Sequence, residues 1–252
     1  MRRTFRTLND CEMQHNAEVG LFTRPSIIYR GSKMMSYKAV LFDLDGTLID
    51  TLDDIGDAAN RVLSNRKFPT HSISTYRLFI GEGVRMLFTR ALPEESRNPD
   101  IIEACLKEYM EDYRCNYNVK TKPYQGIPEL LDALKLRGLK LAILSNKPDP
   151  ATQDCAAFFL SKWDFDVVSG QQDSIPRKPD PKGALNVAQR LAIPPSGFIY
   201  LGDTAIDMKT AVSAGMFPVG VLWGFRSLKE LKENGARVII DEPMQLMDLI
   251  NT

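Results

Sequence analysis

Ala39-Val40-Leu41-Phe42-Asp43-Leu44-Asp45-Gly46-Thr47-Leu48 is the stretch that decides the fold. An apolar run ends abruptly in two acids at i and i+2, followed by glycine and threonine. Residues two apart in extended backbone project to the same side. The Asp43 and Asp45 carboxylates are therefore expected to emerge together at the C-terminal end of a strand. Like charges that close repel, so the pair asks for a cation, a shared proton, or both. A second acidic end follows much later, Tyr200-Leu201-Gly202-Asp203-Thr204-Ala205-Ile206-Asp207. Each segment singly is a turn or a helix cap; the recurrence makes them a candidate metal and phosphate site.

Beyond Thr51 the pattern becomes helical, with Leu52, Ile55, Ala59, Val62 and Leu63 at spacings of three and four. Further helical stretches are expected over 74–78, 84–92 and 99–117, and little between them reads as strand. The block 51–121 is thus expected to be a helical module inserted after the first strand, with 36–50 and 122–252 forming an α/β core. Pro123-Tyr124-Gln125-Gly126 marks the return.

From there strands (139–144, 165–169, 198–201, 217–222, 238–240) alternate with helices (127–137, 151–160, a segment opened by Asp180-Pro181 and ending at Leu191, 204–214, 244–250). Gly138 and Gly215 are expected to close helices, and Asp149 and Asp180 to cap them. Near-continuous apolar strands between amphipathic helices imply a doubly wound, Rossmann-like parallel sheet covered on both faces. In such folds ligands bind beyond the carboxyl ends of the strands, at a topological switch point. Asp43, Asp45, Ser145, Lys178 and Asp203 all fall at or just after such ends.

Composition narrows the partners. The 252 residues are 44% hydrophobic and 25% charged with a formal net charge of zero, which gives no global argument for nucleic acid or an anionic membrane. No apolar run approaches the ~20 residues of a membrane span. Cys11, Cys105, Cys115 and Cys155 are scattered and form no CxxC pair, so a reducing compartment, the cytoplasm, is expected. In residues 1–35, Arg2, Arg3, Arg6, Arg24, Arg30 and Lys33 outnumber Asp10, Glu12 and Glu18. A targeting presequence would be poor in acids, and a disordered extension is the reading favoured there.

Four pieces line up in order: Asp43-Leu44-Asp45-Gly46-Thr47, Ser145-Asn146-Lys147, Lys178-Pro179-Asp180-Pro181 and Gly202-Asp203-Thr204-Ala205-Ile206-Asp207. Together they resemble the haloacid dehalogenase superfamily of aspartate-nucleophile phosphotransferases, over residues 37 to 250. The helical insert then looks like that superfamily's cap domain. Three finer segments resemble its phosphoglycolate phosphatase-like branch: Pro123-Tyr124-Gln125-Gly126-Ile127, Ile80-Gly81-Glu82-Gly83-Val84-Arg85 with Ala91-Leu92, and Val221-Leu222-Trp223-Gly224-Phe225.

The resemblance implies a Mg²⁺-dependent phosphomonoester hydrolase for a small phosphorylated metabolite, 2-phosphoglycolate among them. In that chemistry Asp43 attacks phosphorus, giving an aspartyl-phosphate, and Asp45 protonates the leaving oxygen and then deprotonates water. Mg²⁺ would bridge Asp43, the main-chain carbonyl of Asp45, and Asp203, with Asp207 orienting Lys178 or a metal-bound water. Ser145 and the Asn146 main-chain N–H would hold a phosphoryl oxygen, and Lys178 would supply positive charge. In the cap, Gly81-Glu82-Gly83 either cradles a substrate anion at a helix N-terminus or simply turns the chain. Arg77, Arg85 and Arg90 are the nearby cations, and Gly81, Gly83 and Arg85 are the expected specificity residues. The competing readings are a sugar-phosphate mutase of the same superfamily and a non-catalytic scaffold; intact Asp43, Asp45, Lys178 and Asp203 speak against the scaffold. A monomer or homodimer is expected. His15 and His71 belong to no constellation and read as surface residues.

Overall fold

The computed structural model describes residues 37–250, so the extension expected over 1–35 lies outside the described residues. Strand β1 (Ala39–Phe42) leads into the acidic turn and a two-residue strand, β2 (Ile49–Asp50). Four helices follow: α1 (Leu52–Asn65), α2 (Ile73–Phe79), α3 (Val84–Ala91) and α4 (Pro99–Asn116). The chain returns through β3 (Lys122–Pro123). It then builds α5 (Ile127–Leu136), β4 (Lys140–Pro148), α6 (Asp149–Phe159), β5 (Val167–Gln171), α7 (Lys182–Arg190) and β6 (Phe198–Gly202). The remainder is α8 (Ala205–Ala214), β7 (Phe217–Val221), α9 (Leu228–Glu233), β8 (Val238–Ile240) and α10 (Leu246–Ile250).

Six strands form one parallel sheet in the order β5-β4-β1-β6-β7-β8. The chain leaves β1 toward β4 and β5, then crosses back to β6 on the other side. The reversal lies between β1 and β6, the crevice where ligands of doubly wound sheets bind. The unbroken apolar spelling of β1 has a direct cause: Val40 and Phe42 face one core cluster with Leu130, Leu131 and Ile143, while Ala39 and Leu41 face another with Ala184, Val187 and Tyr200. A strand buried on both faces has no polar side to alternate with.

The inserted helices hold their own core. Ile55, Ala59, Val62 and Leu63 of α1 pack with Ile102, Cys105, Tyr109 and Tyr113 of α4. Helix α4 starts where Asn98 accepts a hydrogen bond from the Ile101 N–H at 2.9 Å, with proline at the next position. The two connections between insert and core are bound together. Strands β2 and β3 pair antiparallel, and the buried Asp54 carboxylate accepts from the N–H groups of Val119, Lys120 and Thr121 and from the Thr121 hydroxyl.

Several local expectations shift. Strand β4 runs on to Pro148, so Ser145, Asn146 and Lys147 belong to its end and not to a loop. Asp149 lies inside α6 instead of capping it; its carboxylate accepts from the Gly170 N–H of β5 at 2.7 Å. Helix α9 and the β2–β3 ribbon were not expected, being too short to show a period. His71 is not a plain surface residue: its ring sits edge-on to Tyr76 and Phe79, and its Nε2 lies 2.7 Å from the Ala91 carbonyl oxygen. Cys105, Cys115 and Cys155 are free thiols. Among the described residues no helix is long and apolar enough to cross a membrane.

Candidate active site

The acidic turn after β1 is shaped by Gly46, which sits at φ +87°. A Cβ there would lie 2.5 Å from Asp203 Oδ2, so only glycine lets the turn press against the end of β6. Thr47 of the same turn donates to Asp203 Oδ1 at 3.0 Å, and the Phe225 N–H donates to Asp203 Oδ2 at 2.8 Å. Trp223 adds a hydrogen bond from its indole N–H to the Thr47 carbonyl oxygen at 3.0 Å. The turn, the end of β6 and the loop after β7 thus form one rigid cradle, with Asp203 fully buried inside it.

Lys178 reaches the same place from the loop before α7. Its Nζ lies 2.8 Å from Asp43 Oδ1 and 2.7 Å from Asp207 Oδ1, and it donates to the Leu144 carbonyl oxygen at 3.1 Å. Asp207, in the first turn of α8, uses its other oxygen to close a capping box with Thr204. Asn146 holds the Lys178 backbone on both sides: its Oδ1 accepts from the Lys178 N–H at 2.9 Å and its Nδ2 donates to the Lys178 carbonyl oxygen at 3.1 Å. The same Nδ2 lies 3.0 Å from the Gly81 carbonyl oxygen of the inserted module.

Asp43, Asp203 and Asp207 each bring a carboxylate oxygen within 4.8 Å of the others'. Burial, then Asp207 and Asp203, drive the Asp43 carboxyl well above its ordinary value, against the pull of Lys178. Burial and Asp207 push Asp203 up to about 7, against its hydrogen bonds from Phe225 and Thr47. Lys178 moves up as well: burial works against its charge, but Asp207 and Asp43 outweigh it. Asp45 stands apart, with its own lysine. Lys147 Nζ lies 3.0 Å from Asp45 Oδ1 and 3.3 Å from Oδ2, and donates to the Tyr113 hydroxyl at 2.9 Å. The ammonium also sits 4.5 Å from the centre of the Tyr113 ring. Burial opposes the Lys147 charge and Asp45 supports it, with a net upward shift.

With all four ionised, the carboxylates of Asp43, Asp45, Asp203 and Asp207 would face the ammonium groups of Lys147 and Lys178 with two negative charges left over in a dry site, the excess that raises Asp43 and Asp203. A divalent cation cancels that excess, and an all-oxygen donor set suits Mg²⁺. The residues present therefore fit the ion.

A cleft opens above these groups. Asp43, Asp45, Ser145, Asn146 and Lys147 line its floor; Ile55, Ile80, Gly81, Gly83, Val84, Leu87, Tyr109, Met110 and Tyr113 line the side made by the inserted helices. Gly81 and Gly83 both have positive φ, and a Cβ on Gly83 would stand 3.3 Å from the Asn146 carbonyl oxygen. Arg85 lies elsewhere, on the surface, paired with Glu103. Arg90 pairs with Glu82, which places that acid away from the cleft, and Arg77 donates to the Gly224 carbonyl oxygen.

Residues 40–221 match the family described as Haloacid dehalogenase-like hydrolase. The chain belongs to that family. It is 32% identical over 219 residues to a phosphoglycolate phosphatase of Nitrosospira multiformis, covering 84% of this chain and 95% of that one. It is 31% identical to the N-acetylmuramic acid 6-phosphate phosphatase of Pseudomonas aeruginosa, covering 87% and 97%. The crystal structure of a candidate phosphoglycolate phosphatase from Lactobacillus delbrueckii subsp. bulgaricus superposes with a TM-score of 0.80 at 31% identity, over 86% of this chain and 99% of that one. This haloacid dehalogenase-like hydrolase is a phosphatase of the phosphoglycolate phosphatase-like branch. Two functional groups escaped the sequence reading: Lys147 at the cleft floor, and Tyr113, which brings a hydroxyl from α4 to that lysine.

Proposed function

We propose that this hydrolase cleaves a small phosphomonoester through an aspartyl-phosphate on Asp43, with Mg²⁺, and that 2-phosphoglycolate is its substrate. One observation carries the reading: Asp43, Asp203, Asp207 and Lys178 converge at the β1/β6 switch point, while Asp45, two residues from Asp43 and on the same cleft, pairs separately with Lys147.

Asp43 and Asp203, with the main-chain carbonyl of Asp45, would hold the ion. A bound Mg²⁺ supplies positive charge against the oxygens of the transferring phosphoryl group. An Asp43 oxygen bonds to phosphorus as the bond to the ester oxygen breaks, and that oxygen leaves with a proton from Asp45. Water then attacks the phosphorus, Asp45 takes its proton back, and the bond between phosphorus and Asp43 breaks to release phosphate. Asp207 positions Lys178 through their 2.7 Å contact, so the ammonium faces Asp43 and the phosphoryl oxygens together. Ser145 and the Asn146 N–H hold the phosphoryl group from the end of β4. The inserted helices act as a cap that excludes water while Asp43 attacks. The free thiols support work in a reducing cytoplasm.

The test is phosphate release from a panel of 2-phosphoglycolate, sugar phosphates, nucleotides and pyrophosphate, with and without Mg²⁺. Mg²⁺-dependent release, highest for 2-phosphoglycolate, is expected. Isomer formation without net phosphate, or release that ignores the metal, would defeat the proposal.

A further inference from the structure

The cleft above Asp45 is lined mainly by apolar side chains of the inserted helices, with Lys147 as the sole cationic side chain among the described residues that line it. Of the arginines near the cap loop, Arg85 pairs with Glu103, Arg90 with Glu82 and Arg226 with the Ile80 carbonyl oxygen, while Arg177 stands against Gly83 without lining the cleft. A substrate carrying a second anion would bury it here at a severe cost unless a counter-charge met it. Lys147 is placed for that. Its side chain is 6% exposed, it contacts Asp45, and an ammonium has three N–H donors. Its Nζ reaches the Asp45 carboxylate and the Tyr113 hydroxyl, the latter a neutral partner that an incoming carboxylate can displace.

Distance limits the chemistry further. On the phosphatase reading, on which this inference rests, Asp45 touches the ester oxygen. Lys147 is one hydrogen bond from Asp45, so it stands beside the carbon that carries that oxygen. We infer that Lys147 is the specificity-determining residue that receives a carboxylate carried by the leaving group. Tyr113 then donates its hydroxyl hydrogen to the same carboxylate, so the cap completes the subsite from α4. Acids with the charge further along the chain would bury it among the apolar side chains of α1 and α3.

The experiment compares 2-phosphoglycolate with ethyl phosphate, in which a methyl group replaces the carboxylate, for wild type, Lys147→Met, Lys147→Arg and Tyr113→Phe. The readout is the ratio of kcat/KM for the two esters. Wild type is expected to favour 2-phosphoglycolate. Lys147→Met is expected to lower the ratio on the order of 100-fold, as for the loss of one partner of a buried charge pair. Lys147→Arg should restore part of it, and Tyr113→Phe should lower it roughly fivefold. A Lys147→Met ratio equal to that of wild type would overturn the assignment, because a lysine serving only Asp45 affects both esters alike. Should Lys147→Met fail to fold, the Tyr113→Phe ratio decides, and no change there overturns it as well. Wild-type turnover of several esters with no preference for 2-phosphoglycolate sinks the Lys147 assignment and leaves the phosphatase reading standing. Release from no ester sinks both.

Discussion

Stripping Mg²⁺ from this protein should make its stability fall as pH rises from about 5 to about 7. Asp203 is the reason. Its carboxylate is fully buried, and burial first, then Asp207, push its pKa from the ordinary 3.8 up to about 7. The folded-state pKa therefore lies above the unfolded value. Within the window between them the native protein keeps a proton that the unfolded chain has already released. The unfolded state binds fewer protons there, so the free energy of unfolding declines with pH and levels off above the folded pKa. At ~1.4 kcal/mol for each tenfold change in proton binding, the rise from 3.8 to about 7 amounts to at most ~4 kcal/mol. Asp43, likewise driven upward by burial, Asp207 and Asp203, adds to the decline in the same direction. Asp132 and Asp166, whose values lie below 3.8, titrate beneath this window and leave it undisturbed.

A bound divalent ion reverses the argument, because it holds Asp203 ionised in the native state. Urea unfolding of the protein, in EDTA and again in saturating Mg²⁺, at steps from about pH 5 to about pH 7.5, measures the difference. The expected result is a descending curve without metal and a flatter, higher one with it. A metal-free curve that is level or climbs across this range, or two curves of the same slope, would refute the idea that excess buried negative charge prepares the site for a cation.

Three further outcomes follow from the same geometry. Asp43→Asn should abolish phosphate release while stabilising the metal-free fold at neutral pH by about 1–2 kcal/mol, since it removes one of the unbalanced charges; thermal unfolding in EDTA measures this. Gly46→Ala, at φ +87° and with its Cβ 2.5 Å from Asp203 Oδ2, should cost roughly 1–3 kcal/mol and weaken Mg²⁺ binding in calorimetry. Asp54→Ala should destabilise by about 3 kcal/mol, because the N–H groups of Val119, Lys120 and Thr121 lose a common acceptor, and hydrogen exchange should quicken at those residues.

Much of this arrangement was legible in the chain because burial on both faces writes itself as an unbroken apolar run. Strand β1 sits between β4 and β6 with both of its faces in the core, so Ala39–Phe42 reads as strand without any alternation. Asp43 and Asp203 were visible as acids where such runs stop, and Lys178 through the Lys178-Pro179-Asp180-Pro181 motif in the loop beyond β5. What stayed hidden depended on pairing across the sequence. Strands β2 and β3, two residues each, carry no period and exist because the chain leaves and re-enters the core at one place. Lys147 had a signal that went unused: it lies two residues beyond Ser145 in extended backbone, and both line the cleft. Arg85 looked suitable by its nearness to Gly83, but α3 turns it outward to Glu103, and nearness in sequence says nothing about which way a helical side chain points.

The two acids of the opening turn are chemically alike, and two residues of separation cannot by itself give them different work. Their partners can. Asp43 lies with Asp203, Asp207 and Lys178 at the cradle between β1 and β6; Asp45 lies with Lys147 and Tyr113 at the floor of the cleft. On the proposed mechanism the first environment, once a cation offsets the acids that raise Asp43, suits a nucleophile aimed at phosphorus. The second suits a group that must meet the departing oxygen and later a water. Tyr113 belongs to a cap helix, so the surroundings of Asp45 depend on where the inserted module rests, whereas Lys178 and its two acid partners are held by core elements alone. On the proposed mechanism, chemistry at phosphorus is set by the sheet, and the choice of leaving group is shared between Lys147 at the end of β4 and the inserted helices. Substitutions in the cap should consequently alter which ester is taken long before they alter the reactivity of Asp43.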